Sequence, residues 1–409
     1  VIPPNIGAIS SPFPLSGNTE FTLISRTRFF GPGRASVKDW KKSLDSFTRS
    51  ASRKLNAESI KEMVVKVLDR RKMIFVNGVL LALLTLSMVA CTLLGPVHLD
   101  LSRALRDLSF ANPDAEILFR ARLPRVLLGV AIGGGMAACG VVLQALLGNP
   151  LACPQMLGVS GGASLGGILG LILFPNWLLP IAGGLLGEIS WVPLAAFLGA
   201  LCSMTLVYRF SLFHGRLHPY HLLLSGVIFN SFIAAVIMFL NSIIDFYQAQ
   251  GLLFWLMGSL STRAYLTVAF IWAYISFGFL WLWAKGLSLN LITLGEEAAM
   301  QLGVETGALQ RQIFIASSLM IGAMVSVSGM IGFIGLMIPH VMRLIVGSDH
   351  RLLLPASFLA GGIFLCWADT LARVLLAPAE LPVGIITAFF GGPFFLFLLY
   401  REGRKALTL

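Results

Sequence analysis

Glu297-Ala298-Ala299-Met300-Gln301-Leu302-Gly303 reads E-A-A-x-x-x-G and lies in a polar island, Leu287 to Gln310, between two long apolar runs. Glu, Ala, Met and Gln favour helix, and a glycine is the usual residue to close one. Gly295 and Glu296 stand just ahead of it. A short acidic helix shown beside a membrane is chemistry for pressing against a soluble partner. Other chemistry is thin. No G-x-x-x-x-G-K-[ST] occurs, so the chain has no P-loop for ATP, and no H-E-x-x-H occurs either. Of six histidines only His340 lies deep in an apolar run; His214, His218 and His221 cluster beside Arg216 and read as a solvated loop. An electron carrier would need paired histidines within spans, and these are missing. Cys91, Cys139, Cys153, Cys202 and Cys366 fall in or beside apolar runs without C-x-x-C spacing, as packing residues do. No catalytic group, metal or cofactor is expected.

The elements that position these residues follow from composition. The 409 residues are 56% hydrophobic and 12% charged, about half the charge of a soluble domain. Asp, Glu, Lys and Arg are absent from 126–187, 217–244, 264–284, 312–342 and 381–400. About 20 apolar residues make one spanning helix, so ten spans are expected: 74–95, 124–146, 155–174, 191–210, 222–243, 264–284, 312–330, 333–346, 354–374 and 382–400. The eighth is short and interrupted by Pro339. The expectation is an all-α membrane protein with a permease domain over 74–401 and a tail over 402–409. Residues 1–73 carry 14 Lys/Arg against 6 Asp/Glu, so most of the net charge of +11 belongs to this Ser-, Pro- and Arg-rich extension and not to a nucleic-acid surface. It reads as a disordered leader, dispensable over 1–62, or as one basic surface helix over 57–68.

Arg70, Arg71 and Lys72, Arg209 and Arg216, Lys285, and Arg401, Arg404 and Lys405 all fall on one side if both termini are cytoplasmic. Arg120, Arg122, Arg125, Arg263 and Arg373 fall on the other. By residue type, arginines there snorkel to lipid phosphate or cap carbonyls. Asn149-Pro150-Leu151-Ala152-Cys153-Pro154 must break regular helix, as an inter-span turn or as irregular backbone lining a path. Arg122, Gly140, Pro150 and Gly158 recur at the same spacing as Arg311, Gly329, Pro339 and Gly347. Five spans separate the two sets, which implies a weak inverted repeat.

From Ile74 to Arg401 the chain resembles the permease subunit of bacterial ABC importers for iron–siderophore, haem and cobalamin. The resemblance is carried by Arg122-Leu123-Pro124-Arg125, Gln144 to Ala152, Leu157 to Ala163, Gly332 to His340, Asp349 to Pro355, Ala368 to Arg373 and Glu380 to Ala388. It implies a homodimer in lipid in the bacterial inner membrane, with two ATP-binding cassette subunits beneath and a periplasmic substrate-binding protein above. It implies further that Leu287 to Gln310, with Gly295, Glu296, Glu297, Ala298, Ala299 and Gly303, is the ATPase-coupling region. Asn149, Pro150 and Leu151 match one cytoplasmic gate element. Pro219-Tyr220 stands where relatives carry small polar residues and leaves the second gate element open. Arg122, Arg125 and Arg373 match arginines that receive acids of the binding protein, against the snorkelling or capping account. A stand-alone secondary transporter or channel is the alternative. It would want a polar coupling group inside a span, for which Asp369, near a span end, is the one acid.

Overall fold

The computed structural model describes residues 70–107, 112–173, 178–180, 188–213, 216–260 and 264–407. The expectations for residues 1–69, Arg263 and His214 lie outside these residues, whereas residues 70–73, expected to end the extension, already belong to the first helix. Each charge-free run holds one or two helices among the described residues, as lipid offers no partner for backbone N–H and C=O groups. Ten apolar helices follow in chain order: Arg70–Leu93, Pro113–Leu146, Val159–Leu173, Trp191–Ser211, Pro219–Ile243, Tyr265–Ala284, Thr306–Ser328, Ile334–Val346, His350–Val374 and Val383–Leu407. Seven are long and apolar enough to cross a bilayer; the third, eighth and tenth are shorter apolar stretches. The chain is an all-α membrane protein.

The second span forms the centre. Its most apolar window is 94% buried, against 17% for the first and fifth spans, whose hydropathy is the same or close to it. Composition therefore does not set depth; side-chain size does. Gly133-Gly134-Gly135 gives this helix a thin face, and a Cβ on either Gly133 or Gly361 would collide with the other's carbonyl oxygen. The second and ninth spans thereby pack backbone against backbone. The ninth span also contacts the first and eighth, and the third packs along the fourth.

Three features differ from the sequence reading. The second helix starts at Pro113, not 124, after an Asn112 cap, and passes through a π-helical turn over Ile117–Arg122. An unexpected helix, Phe246–Leu256, lies between the fifth and sixth spans; it is too short to span. Pro339 does not interrupt the eighth helix, which runs through it. A proline lacks the N–H that would bond the carbonyl four residues back. That carbonyl, on Gly335, faces Gly140 of the second span, where a side chain would strike it. Two short antiparallel pairings, Leu178–Pro180 with Glu188–Ser190 and Leu212–Phe213 with Arg216–Leu217, lie between helices in sequence. Of the four spacing-matched pairs, Gly158 and Gly347 share a positive φ at a helix end, whereas Pro150 lies in a turn and Pro339 in a helix.

Candidate functional site

The polar island folds into two short helices, Gly286–Ile292 and Glu296–Gln301. Gly295, at φ +112, turns the chain into the second one. Gly303, at φ +86, turns it out: its N–H donates to the Met300 carbonyl and that of Val304 to Ala299, both at 3.0 Å. This is a Schellman closure, whose left-handed residue is glycine because a Cβ would be strained there. Glu296 and Glu297 sit in the first turn and are exposed, Ala298 is half-buried, and Ala299 is fully buried. Leu287, Leu294 and Met300 are also exposed, between 41% and 52%. Apolar side chains left bare on an acidic segment between spans mark a contact surface.

Two fixings hold this segment. Gln310 Nε2, in the seventh span, donates to Glu296 Oε1 at 2.7 Å. Asn290 Nδ2 donates to Asp349 Oδ1 at 2.8 Å, and the backbone N–H of His350 donates to Asn290 Oδ1 at 2.8 Å. Asp349 caps the ninth span through the Arg351 N–H and pairs with the Arg351 guanidinium at 2.6 Å. Burial alone would push the Asp349 carboxyl up, but the bonds from Arg351 and Asn290 outweigh it and hold the group below its ordinary value. Sequence reasoning missed Asn290. The only signal was its place in the island.

Beside the Glu296–Gln301 helix lies an open cleft of about 910 Å³ lined by His218, Pro219, Glu296, Met300, Gly303 and Thr306 among others. The structure thus brings Pro219 to the same cleft as Glu296 and Gly303. Pro219 takes the first position of the fifth span, where its missing N–H costs nothing, and Tyr220 beside it is 66% exposed. Asn149, Pro150 and Leu151 do not line the cleft. Asn149 Oδ1 accepts from the Leu151 N–H at 2.9 Å, a local turn, with Pro150 exposed. The chain beyond this turn reaches the fifth span instead, where Asn230 Nδ2 donates to the Gln155 carbonyl at 2.7 Å.

The three arginines lie elsewhere, buried at 3–7% exposure. Arg122 donates to the carbonyls of Leu93 at 2.6 Å and Val97 at 2.5 Å, and so caps the end of the first span. Arg125 grips Asp369 at 3.0 Å and Glu380 at 2.8 Å. Arg373 bonds the same Asp369 at 3.1 Å and the Cys91 carbonyl at 3.2 Å. Asp369 is 2% exposed between two guanidiniums, so the one acid near a span is an ion-pair partner. Glu380 alone in this cluster reaches solvent, at 49%.

A buried central helix packed among other apolar helices, with a polar segment between the sixth and seventh, is the build of a multi-pass membrane protein. Residues 80–401 match the FecCD transport family, and the chain belongs to that family. It is 39% identical to the hemin transport system permease protein of Yersinia pestis over 80% of this chain and 96% of the relative. It is 38% identical to the cobalamin import system permease protein of Halobacterium salinarum, over 73% and 78% of the two chains. A solved metal-chelate type ABC transporter in an inward-facing conformation superposes with a TM-score of 0.68 at 30% identity, covering 80% of this chain and 99% of that one. The chain is accordingly an ABC transporter permease, and neither a stand-alone carrier nor an enzyme is favoured.

Proposed function

We propose that this permease imports a metal chelate or corrinoid, of the iron(III)–siderophore, haem or cobalamin kind, by alternating access. It does so as a homodimer powered by two ATP-binding cassette subunits and supplied by a substrate-binding protein. The observation that carries the reading is the Glu296–Gln301 helix: fixed by Gln310, closed by Gly303, and presenting exposed Glu297 and Met300 beside an open cleft. A chain without a P-loop needs its energy from a partner, and this is the surface built to receive one. Pro219 shares the cleft, which supports a gate element at the head of the fifth span that moves with the coupling helix. Asn149 to Leu151 supply the other gate element through their local turn. The coupling segment and both termini lie on the cytoplasmic side.

Docking of the binding protein belongs at the arginine end. Arg122, Arg125 and Arg373 supply positive charge there, but their internal partners set a condition. A carboxylate of the binding protein reaches Arg125 by displacing Glu380, the exposed acid. Reconstitution with the ATPase subunits and binding protein in vesicles, offered haem, a ferric siderophore and cobalamin in turn, tests the function. ATP-dependent uptake of one of them is expected. Uptake by the permease alone would overturn the reading.

A further inference from the structure

The ninth span carries a polar cluster at each end. At its head are Asp349 and His350, bonded to Asn290 of the polar segment; at its tail Asp369 pairs with both Arg373 and Arg125. The helix between them is continuous over 25 residues, about 36 Å at 1.5 Å per residue. Its head is held by more than one bond. Asn290 uses both faces of its amide, the Nδ2 on Asp349 and the Oδ1 on the His350 N–H, with His350 Nδ1 2.7 Å from the same oxygen. Pro355 frees the carbonyl four residues back, on Arg351, and Trp283 Nε1 at the end of the sixth span donates to it at 3.0 Å. An amide bonded on both faces to the first turn of a helix admits one relative geometry. Movement of the Gly286–Ile292 helix must then carry the ninth span with it, since a rigid element with fixed ends transmits displacement.

We propose that Asn290 is a positioning residue that clamps the coupling segment to the ninth span, so that motion set by the ATPase reaches the Asp369–Arg373 cluster as movement of one helix. This rests on reading Leu287 to Gln310 as the coupling region. The reverse direction follows by linkage: a binding protein docked at the tail biases the head by the same free energy.

The test uses the full complex in vesicles, reading substrate transported per ATP hydrolysed and the stimulation of hydrolysis by loaded binding protein. Asn290→Asp loses the donor and sets two carboxylates face to face, and at least a tenfold drop in both ratios is expected. Adding Asp349→Asn removes the repulsion between the two carboxylates and restores a donor–acceptor pair between positions 290 and 349, in competition with the cap, because Asp349 Oδ1 accepts from both Asn290 and the Arg351 N–H. The double variant should recover half or more of the loss, which a merely damaged fold would not do. If Asn290→Asp fails to assemble, Asn290→Ala, which removes the bonds without adding charge, is read for the same tenfold drop. Normal ratios in Asn290→Asp, or in Asn290→Ala where it stands in, or a double variant no better than the single, would overturn the clamp. Gly303→Val separates the two readings. If it uncouples while Asn290→Asp does not, the clamp alone fails; if neither uncouples, the coupling region itself is misassigned.

Discussion

The tail of the ninth span and the Glu296–Gln301 helix treat charge in opposite ways. At the tail, Arg125, Arg373 and Asp369 are buried and spend their bonds on one another or on carbonyls, with Glu380 the single exposed member. On the polar segment, Glu297 is exposed, and apolar Leu294 and Met300 are exposed as well. The first arrangement is a scaffold and the second is a contact surface. A charge near a membrane surface therefore reveals its role through its partners rather than its type. A buried guanidinium with every neighbour satisfied holds helices together, whatever docks on it afterwards.

The contrast breaks most readily at Asp369. Asp369→Ala leaves two guanidiniums buried without their shared counter-charge, and a loss of about 3–5 kcal/mol is expected, read as a drop in the thermal midpoint of the purified permease. An unchanged midpoint would mean that the cluster is solvated and that its burial here is not what stabilises it. Gly303→Val sharpens the other side. Forcing a β-branched residue to φ +86 costs about 1–2 kcal/mol locally. The midpoint should hardly move while transport per ATP falls at least tenfold. Full coupling with Val at 303 would count against the Schellman closure as the shape the ATPase reads.

A smaller effect is expected at Glu380. Glu380→Gln weakens the internal hold on Arg125, so the binding protein should dock several-fold more tightly, measured by titration in vesicles. Stability should change by less than about 1 kcal/mol, because the acid is half-exposed. Weaker docking would show that Glu380 assists the partner and does not compete with it. The smallest effect concerns pH at the head of the ninth span. The folded Asp349 carboxyl is held below its ordinary value, so its stabilisation is complete above the unfolded pKa of about 3.9 and is lost as pH falls through the lower folded one. The difference in melting midpoint between wild type and Asp349→Asn should stay constant from neutral pH to about 5 and shrink only below about 4. A difference that shrinks already at pH 6 would contradict that sign.

Much of this protein was determined locally and could be read from its residues. A charge-free run of twenty residues must become helix in lipid, because no other conformation satisfies its backbone within itself. Each of the ten expected spans holds an apolar helix, the eighth with Pro339 included. Gly303 closes its helix because a left-handed residue must follow the last turn, and glycine there is a statement about φ alone. The FecCD match runs over residues 80–401. What tertiary structure decided was which way the polar groups turn. Arg125 meets Asp369 across 244 residues of chain, and Asn290 meets Asp349 across 59. Arginine near a span end has the same composition and spacing whether it faces a partner or a neighbouring helix. Only the packing of the first, second and ninth spans, with the Glu380 turn, sets carbonyls and carboxylates within its reach. The helix at Phe246–Leu256 is of the same kind: too short and too mixed to declare itself, it is fixed by what surrounds it. Local periodicity and glycine position are properties of a segment, whereas the direction of a charged side chain is a property of the space around it, and that space exists only once the helices have packed.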